Sequence, residues 1–575
     1  MDLDLNNRYI LGIQIGHKSS VALYQNEELI YYNQEERLTK IKNDGSLPTK
    51  CIDQVKDITS SIDMVMVTSY DGGHNAGPIK DYLLRLNLIK HDQLTFYTHK
   101  GHHLTHATKA YFSSGFKDAL IFVVDGRGSN YNLSNGAAAY ETVSVYKTTK
   151  DYKLKAIYKK LFTKEPNIKN LKVRYDIDYP EVGSIRTPHI DKQTKFEIVD
   201  THTLAHMYTS VANFFDWHNE EGKLMGLSAY GKPNNKIKKL LNTKDFINND
   251  SMTINRDKFP QITDHLEALA FETQKKFEND YFNLVKKYVN KNPKIKNIVC
   301  TGGASLNVVN NLNLLEKFKK LNIYIDPMCG DEGNSIGTCQ QYLHAVDRFF
   351  NPNKNIYLGP NYFIKFNLNV DEKIKKVNTK NIIKLLTDKN IVAIYQQKAE
   401  AGPRALGNRS LLMDPRIKNG KDLQSSIKSK IKNGNDIMNT VKGREKFRPL
   451  ACCILEEKAK EWFEMNTLKK SPHMMYAVKA KNKTKKLVSS IVHKDNTCRV
   501  QTISKKDNPF MYQLLIEFYK KTKVPILMNT SFNLRKKPIV ETPDDALETL
   551  RNSEFEYLFF PDTKDLIYIK NFNLY

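Results

Sequence analysis

Twice in this chain an apolar run stops at a glycine-rich turn. The stretches are "DALIFVVDGRGS" (Asp118–Ser129) and "IKNIVCTGGASLN" (Ile295–Asn307). Each reads as a buried strand closed by glycines, and the second continues through an N-cap serine, Ser305, into a helix. Turns of this kind can wrap backbone N–H groups around phosphates. Taken singly, either could be plain strand-to-helix punctuation. They occur together with "RYILGIQIG" and "VALYQNEELIYY", which read as a hairpin turning around His17 to Ser20. The set points to a two-lobed nucleotide-binding α/β fold.

A chain of 575 residues is too long for one small core, so roughly two to four domains are expected. The pattern breaks at "NPNKNIYLGPNYF" (Asn351–Phe363), a linker composition rich in Asn, Pro and Gly. This places a boundary near residue 360, giving domains 1–360 and 361–575. No internal repeat at a solenoid period is visible. No run approaches the roughly 18 apolar residues of a membrane span, and "MDLDLNNRYI" lacks the basic start of a signal peptide. Seven cysteines without a CxxC pair imply reduced thiols, so a cytoplasmic protein with no membrane partner is expected.

Lys and Arg total 89 against 63 Asp and Glu, a formal charge of +26. That field suits nucleic acid, nucleotides or other anionic substrates. The surplus is scattered as "KFKK", "KIKK" and "KNKTKK" instead of being gathered into one basic arm. Asparagine abounds beside lysine, as a biased genome would also produce. A nucleotide or nucleic-acid partner therefore stays open on charge alone.

Two constellations carry chemistry. "AEAGPRALGNRSLLMDPR" (Ala399–Arg416) interleaves Arg404, Arg409 and Arg416 with Gly402 and Gly407. Guanidinium forks wait for phosphate or carboxylate, and glycine lets backbone approach an anion, although a solvated surface loop would look similar. "GHHLTHATKAYF" sets His102 and His106 one helical turn apart, the spacing of a shared metal or of an ordinary structural pair. Asp125 ends the strand "IFVVD", where a carboxylate is costly without a cation, and Asp331 sits in the turn "PMCGDEGNSIG". Two His and two carboxylates suit iron, manganese or zinc.

Ten motifs in order extend across nearly the whole chain: "QEERLTKIKND", "HHLTHA", "VVDGRGS", "KLMGLSAYGKP", "TGGASLN", "GDEGNSIG", "GPRALGNRSLLMDPR", "KGREKFRPLA", "CRVQTIS" and "VPILMNTSFN". On these the sequence resembles the NodU/CmcH family of O-carbamoyltransferases. The resemblance implies an N-terminal actin-like (ASKHA, sugar-kinase-type) two-lobed domain and a C-terminal YrdC-like twisted α/β domain. It implies that the second makes carbamoyl adenylate from carbamoyl phosphate and ATP with Mg2+, and that the first passes the carbamoyl group to an acceptor hydroxyl, releasing AMP.

Site roles follow from the matched positions. Arg404, Arg416, Lys442, Arg448 and Arg499 are expected to clamp the two polyanions, and Arg409 to be structural. Asn529 and Ser531 would bind a phosphate or the carbamoyl amide. His102, His106, Asp125 and Asp331 match the family's metal site, with Fe2+ ranked ahead of Mn2+ and Zn2+, and His103 is placed behind it. His17 would be the general base on the acceptor hydroxyl, a role suited to a histidine. Gly126, Gly302 and Gly303 would cradle the nucleotide.

The chain departs from the family at Lys18, where an Asp is common, and at Lys536-Lys537, where Gly-Glu is usual. "QKAE" likewise stands where the family often has a Gly-Arg and an acidic residue. These bear on the acceptor, which is expected to be a small hydroxylated molecule, a sugar or a hydroxymethylated nucleotide. The oligomeric state is open, with a homodimer among the options. Competing readings are a nucleic-acid-binding protein on the same scaffold and an actin-like ATPase or sugar kinase. The first lacks an aromatic-interleaved basic patch, and the second leaves the C-terminal motifs unexplained.

Overall fold

The computed structural model describes residues 8–69, 76–90, 95–97, 101–149, 152–174, 190, 193–248, 251–346, 348, 355–417 and 434–569. The start of the expected linker, 351–354, lies outside them, as do 1–7 and the lysine-rich 418–433. The chain forms two compact units. One comprises Met1–Thr39 and Asn43–Lys354, the other Lys40–Lys42 and Asn355–Tyr575.

The first unit holds two main sheets. Strands β1 (Tyr9–Ile15), β2 (Ser20–Gln25), β3 (Glu28–Gln34), β4 (Met64–Ser69) and β5 (Thr95–Tyr97) form a sheet in the order β3-β2-β1-β4-β5. The β1–β2 and β2–β3 pairs are antiparallel, whereas β4 pairs parallel with β1 and β5 with β4. The expected single hairpin is thus a three-stranded meander, because "VALYQNEELIYY" turns again at Asn26, which takes φ 56°.

The second sheet contains β6 (Leu120–Val124), β7 (Asn130–Asn132), β8 (Ala138–Thr148), β9 (Leu154–Phe162) and β10 (Lys195–Val199). A two-stranded ribbon, β11 (Ile247–Asn248) with β12 (Thr253–Ile254), intervenes before β13 (Asn297–Thr301) and β14 (Asn322–Ile325) complete the sheet. Its order is β10-β9-β8-β6-β13-β14, with β7 beside β8. The central path β9-β8-β6-β13-β14 repeats the first sheet's pattern: two antiparallel pairs, then two parallel ones. The repeat lies in topology and leaves no periodic trace in sequence.

Helix Asn334–Ala345 packs on the first sheet and against helix His102–Ser114, which packs on the second. Gly12 of β1 and Gly337 make the close approaches: a Cβ would stand 2.0 Å from the Ser335 carbonyl oxygen at Gly12, and 2.5 Å from the Thr105 carbonyl oxygen at Gly337. Apolar faces close the core around them, with Leu11, Ile13 and Val65 in one cluster and Leu104, Ala107, Ile121 and Val299 in another.

The second unit is built on a ten-stranded mixed sheet. Its strands are β15 (Lys373–Lys376), β16 (Val392–Tyr395), β17 (Arg409–Met413), β18 (Ala451–Leu455), β19 (Phe463–Glu464), β20 (Ala477–Ala480), β21 (Thr497–Ile503), β22 (Ile526–Ser531), β23 (Tyr557–Phe560) and β24 (Asp565–Tyr568). The order is β15-β24-β23-β16-β17-β22-β18-β21-β20-β19. Strands β16 and β18 are apolar and buried throughout, as strands covered on both faces are, whereas β17, β21 and β22 carry polar residues inward.

Candidate functional site

The first unit brings four predicted ligands to one point. His102 and His106 project from the same helix face, Asp125 follows β6, and Asp331 opens the short turn before Asn334–Ala345. Their ligand atoms lie within 4.8 Å of one another. His106 Nε2 is 3.3 Å from His102 Nε2, 3.3 Å from Asp125 Oδ2 and 3.2 Å from Asp331 Oδ1. His102 Nε2 is 3.6 Å from Asp125 Oδ2 and 3.4 Å from Asp331 Oδ1. Donors sharing one cation at about 2.1 Å stand about 3–3.5 Å apart, so the set fits a divalent metal in spacing, ligand type and charge. Burial pushes the His102 imidazolium down, but the Asp331 charge and hydrogen bonds to both aspartates outweigh it and hold it at about 10. Asp125 and Asp331 resist burial in the same way and lie below the carboxylate range. The pocket demands positive charge, whether protons or metal.

Both glycine turns serve this centre. Asp125 Oδ1 accepts the N–H of Gly126 at 2.9 Å and of Gly303 at 3.1 Å, which turns Oδ2 toward the histidines. Those two amides are therefore engaged by the carboxylate, whereas the sequence assigned them to a nucleotide. Gly302 permits the arrangement: it takes φ +84°, and a Cβ there would meet the Val124 carbonyl oxygen at 2.4 Å. The helix after this turn is capped by Asn307, whose side chain accepts the Asn310 N–H, and not by Ser305. Ser305 sits inside an intervening 3-10 turn.

A buried network, which sequence reasoning missed, supports the ligands. Glu141 Oε1 accepts the N–H of His103 at 3.0 Å and of Ser129 at 3.2 Å, while its other oxygen pairs with buried Lys159. Ser129 Oγ accepts the His102 N–H at 3.1 Å. His103 binds Ser144 Oγ at 2.8 Å, and burial pushes its imidazolium down to about 3, so it is neutral. Glu141 thus pins the start of the histidine helix to the Gly126–Ser129 turn.

His17 lies half-buried in the β1–β2 turn. The next residue, Lys18, pairs with Glu332 at 3.1 Å, directly after Asp331. Ser20 Oγ and Tyr32 hydroxyl both donate to the Glu332 carbonyl oxygen, at 3.0 and 2.9 Å. The His17 turn is therefore fastened to the ligand turn, and Lys18 gives the departure from the family's Asp a definite partner.

In the second unit cations converge. Burial, then Arg404, Arg444 and Arg448, push the Arg499 guanidinium well below its ordinary range. Burial, then Arg444, Arg448 and Lys42, do the same to the Lys442 ammonium. Arg444 and Lys42 were not singled out from sequence, although both lie inside quoted motifs. Lys42 belongs to this unit with Lys40, whose ammonium pairs with Asp545. Lys442 Nζ donates to the Ser531 carbonyl, to the Asn533 carbonyl at 2.9 Å and to Ser531 Oγ at 3.3 Å, shaping the turn after β22. Arg448 Nη1 stands 3.8 Å from a Glu445 carboxylate oxygen.

Arg416 differs. It chelates buried Asp414 at 2.6 and 3.0 Å and lies over Phe518, sharing no described contact with the other cations. Arg409 is fully buried, donating to the carbonyls of Gln396 at 2.6 Å, Asn408 at 3.1 Å and Gln397 at 3.0 Å, over the Tyr395 ring. Glu400 Oε1 ties the loop together by accepting the N–H groups of Leu406, Asn408 and Arg409.

Comparisons with known proteins agree across both units. The family model "Carbamoyltransferase N-terminus" matches residues 77–292 and 277–339, and "Carbamoyltransferase C-terminus" matches 383–564. The protein MJ1058 of Methanocaldococcus jannaschii is 30% identical, over 80% of this chain and 72% of its own length. Nodulation protein NolNO of Sinorhizobium fredii is 24% identical, over 97% of this chain and 79% of its own. Nodulation protein U of Azorhizobium caulinodans is 31% identical, over 41% and 40% respectively. The chain belongs to the carbamoyltransferase family, of the NodU/CmcH type. Among solved structures, component A of the Acidaminococcus fermentans (R)-2-hydroxyglutaryl-CoA dehydratase gives a TM-score of 0.30 at 11% identity, covering 59% of this chain and 99% of that one. Full-length HypF gives 0.34 at 12%, covering 60% and 57%. Among the described residues no helix is long and apolar enough to cross a membrane, and the seven cysteines are buried and outside any disulfide.

Proposed function

We propose that this carbamoyltransferase is an ATP-dependent O-carbamoyltransferase that divides its two half-reactions between its units. In the second unit, carbamoyl phosphate, ATP and water give carbamoyl adenylate, pyrophosphate and phosphate. In the first, an acceptor hydroxyl displaces AMP from the adenylate. The observation carrying this reading is that two chemically opposite sites exist, a carboxylate–imidazole cluster in one unit and converging cations in the other.

Arg404, Arg444, Arg448 and Arg499 have their charges at hand before substrate arrives, and bound phosphates would relieve their mutual repulsion. Such preorganised charge is a large catalytic contribution at a phosphoryl centre. The converging cations support a YrdC-like reading of the second unit, and the repeated strand order supports an actin-like reading of the first. His102, His106, Asp125 and Asp331 would hold a divalent ion, iron(II) ranked first, which supplies Lewis acidity toward the adenylate. His17, on a turn fastened beside Asp331, would take the hydroxyl proton. The acceptor is a small hydroxylated molecule.

Incubation with ATP and carbamoyl phosphate tests this reading. AMP and pyrophosphate should both appear, AMP in step with acceptor carbamoylation. ADP in place of AMP would return the kinase or ATPase reading.

A further inference from the structure

Behind the carboxylate–imidazole cluster lies an ion pair that the proposed reaction leaves without a role. The β8–β9 register shifts between Glu141 and Val143, and Glu141 is fully buried at that irregularity. Bulges beside active sites commonly re-aim a side chain. The Glu141 backbone holds the Gly126–Ser129 turn: its carbonyl accepts the Gly128 N–H at 2.8 Å, and its N–H donates to the Ser129 carbonyl at 3.1 Å. Its side chain crosses to the histidine helix, where Oε1 accepts the His103 N–H at 3.0 Å. One residue therefore ties the element carrying His102 and His106 to the turn that follows Asp125.

Lys159 holds that carboxylate from the other side, and it too is fully buried. An ammonium has three N–H donors and no acceptor. Lys159 Nζ meets three acceptors: Glu141 Oε2, Ser144 Oγ at 3.2 Å and the Tyr146 hydroxyl oxygen at 3.1 Å. The Tyr131 hydroxyl also donates to Glu141 Oε2, at 3.4 Å. Taking both charges out of water costs about as much as their attraction offsets, and apolar side chains of similar volume often stabilise a fold better. Stability is thus a poor reason for this pair. Position is a better one.

We propose that Lys159 is a positioning residue of the carboxylate–imidazole cluster: it holds the Glu141 carboxylate in place, and Glu141 sets the spacing between His102 and Asp125. This rests on the reading that the cluster holds a divalent ion. Without Lys159, Glu141 is a buried charge lacking its cation, and it turns away from the His103 and Ser129 N–H groups. The helix and the turn then lose their common acceptor, and the four ligand atoms no longer converge. Groups that orient ligands from behind typically change metal affinity by about 10–100-fold when removed.

The test titrates the chelator-stripped full chain with Co2+ against a chromophoric chelator, and reads the melting temperature without metal. Lys159→Met should raise the Co2+ Kd by about tenfold or more. Glu141→Gln/Lys159→Met should stay within about threefold of wild type, because glutamine Oε1 still accepts both N–H groups while Nε2 can donate to Ser144. Lys160→Met, one residue along β9 and paired at the surface with Glu197 at 2.9 Å, should leave the Kd unchanged. If Lys159→Met does not fold, the apolar pair Glu141→Leu/Lys159→Met takes its place, with the same loss expected. A lowered melting temperature at wild-type Kd gives Lys159 a purely structural role and overturns the inference, leaving the metal reading standing. A Gln/Met pair as weak as the variant lacking Lys159 alone also overturns it. A wild type that binds no Co2+ removes the metal reading itself, and the inference with it.

Discussion

The carboxylate–imidazole cluster and the arginine cluster are both buried assemblies of ionisable groups, yet they solve opposite problems. In the first, Asp125 and Asp331 face His102 and His106 at 3.2–3.6 Å, so attraction already holds the set together. In the second, Arg404, Arg444 and Arg448 each depress the charge on Arg499. On the function proposed above, one site would take a small cation and the other a bulky polyanion. Burial alone is therefore a poor guide to role, and the sign of the neighbours decides.

The largest expected effect breaks the first half of that comparison. His106→Ala removes one of four ligand donors and should abolish carbamoyl transfer, with bound divalent metal falling below stoichiometry by elemental analysis. Adenylate synthesis, followed as pyrophosphate release, should persist. Full transfer activity in metal-free His106→Ala would remove the cluster from the mechanism.

Next comes Arg448→Ala. Charged hydrogen bonds contribute roughly 1.5–3 kcal/mol, so carbamoyl-phosphate-dependent activity should fall at least tenfold, and more if the charge acts mainly in the transition state. Arg448→Lys should recover little, since an ammonium cannot reproduce the guanidinium fork. Recovery to near wild-type rate would mean that a point charge suffices there.

Gly302→Ala tests the scaffold beneath the carboxylate–imidazole cluster. With φ at +84° and a 2.4 Å clash against Val124, the substitution should cost about 2 kcal/mol or more, read as a drop in denaturant midpoint. The smallest effect sharpens the second half. Because Arg416 is engaged by Asp414, Arg416→Ala should change kcat/KM by less than about threefold while lowering stability by about 1–2 kcal/mol. A hundredfold catalytic loss would return Arg416 to the clamp.

What was legible in sequence follows from how local each signal is. The glycine-terminated strands and the His102–His106 spacing are written in neighbouring residues. The motif set supplied Asp125 and Asp331 as partners, and the fold brings all four to one point. The Arg416–Asp414 pair was not read, because a guanidinium motif does not announce its partner. Arg444 stood between Lys442 and Arg448 and was passed over. The Glu141–Lys159 network and the repeated strand order could not be read, because they depend on pairings between distant strands. Gly126 and Gly303 were read as cradling the nucleotide; that their N–H groups meet Asp125 Oδ1 depends on a contact between distant turns that the sequence does not write.

The division of labour is tested most directly by measuring acceptor carbamoylation from two starting points: carbamoyl phosphate with ATP, and preformed carbamoyl adenylate. Folded Arg448→Ala should fail from the first and approach wild-type rates from the second, whereas His106→Ala should fail from both while still releasing pyrophosphate. If Arg448→Ala instead loses both activities equally, the two sites do not carry separate half-reactions and the account is wrong.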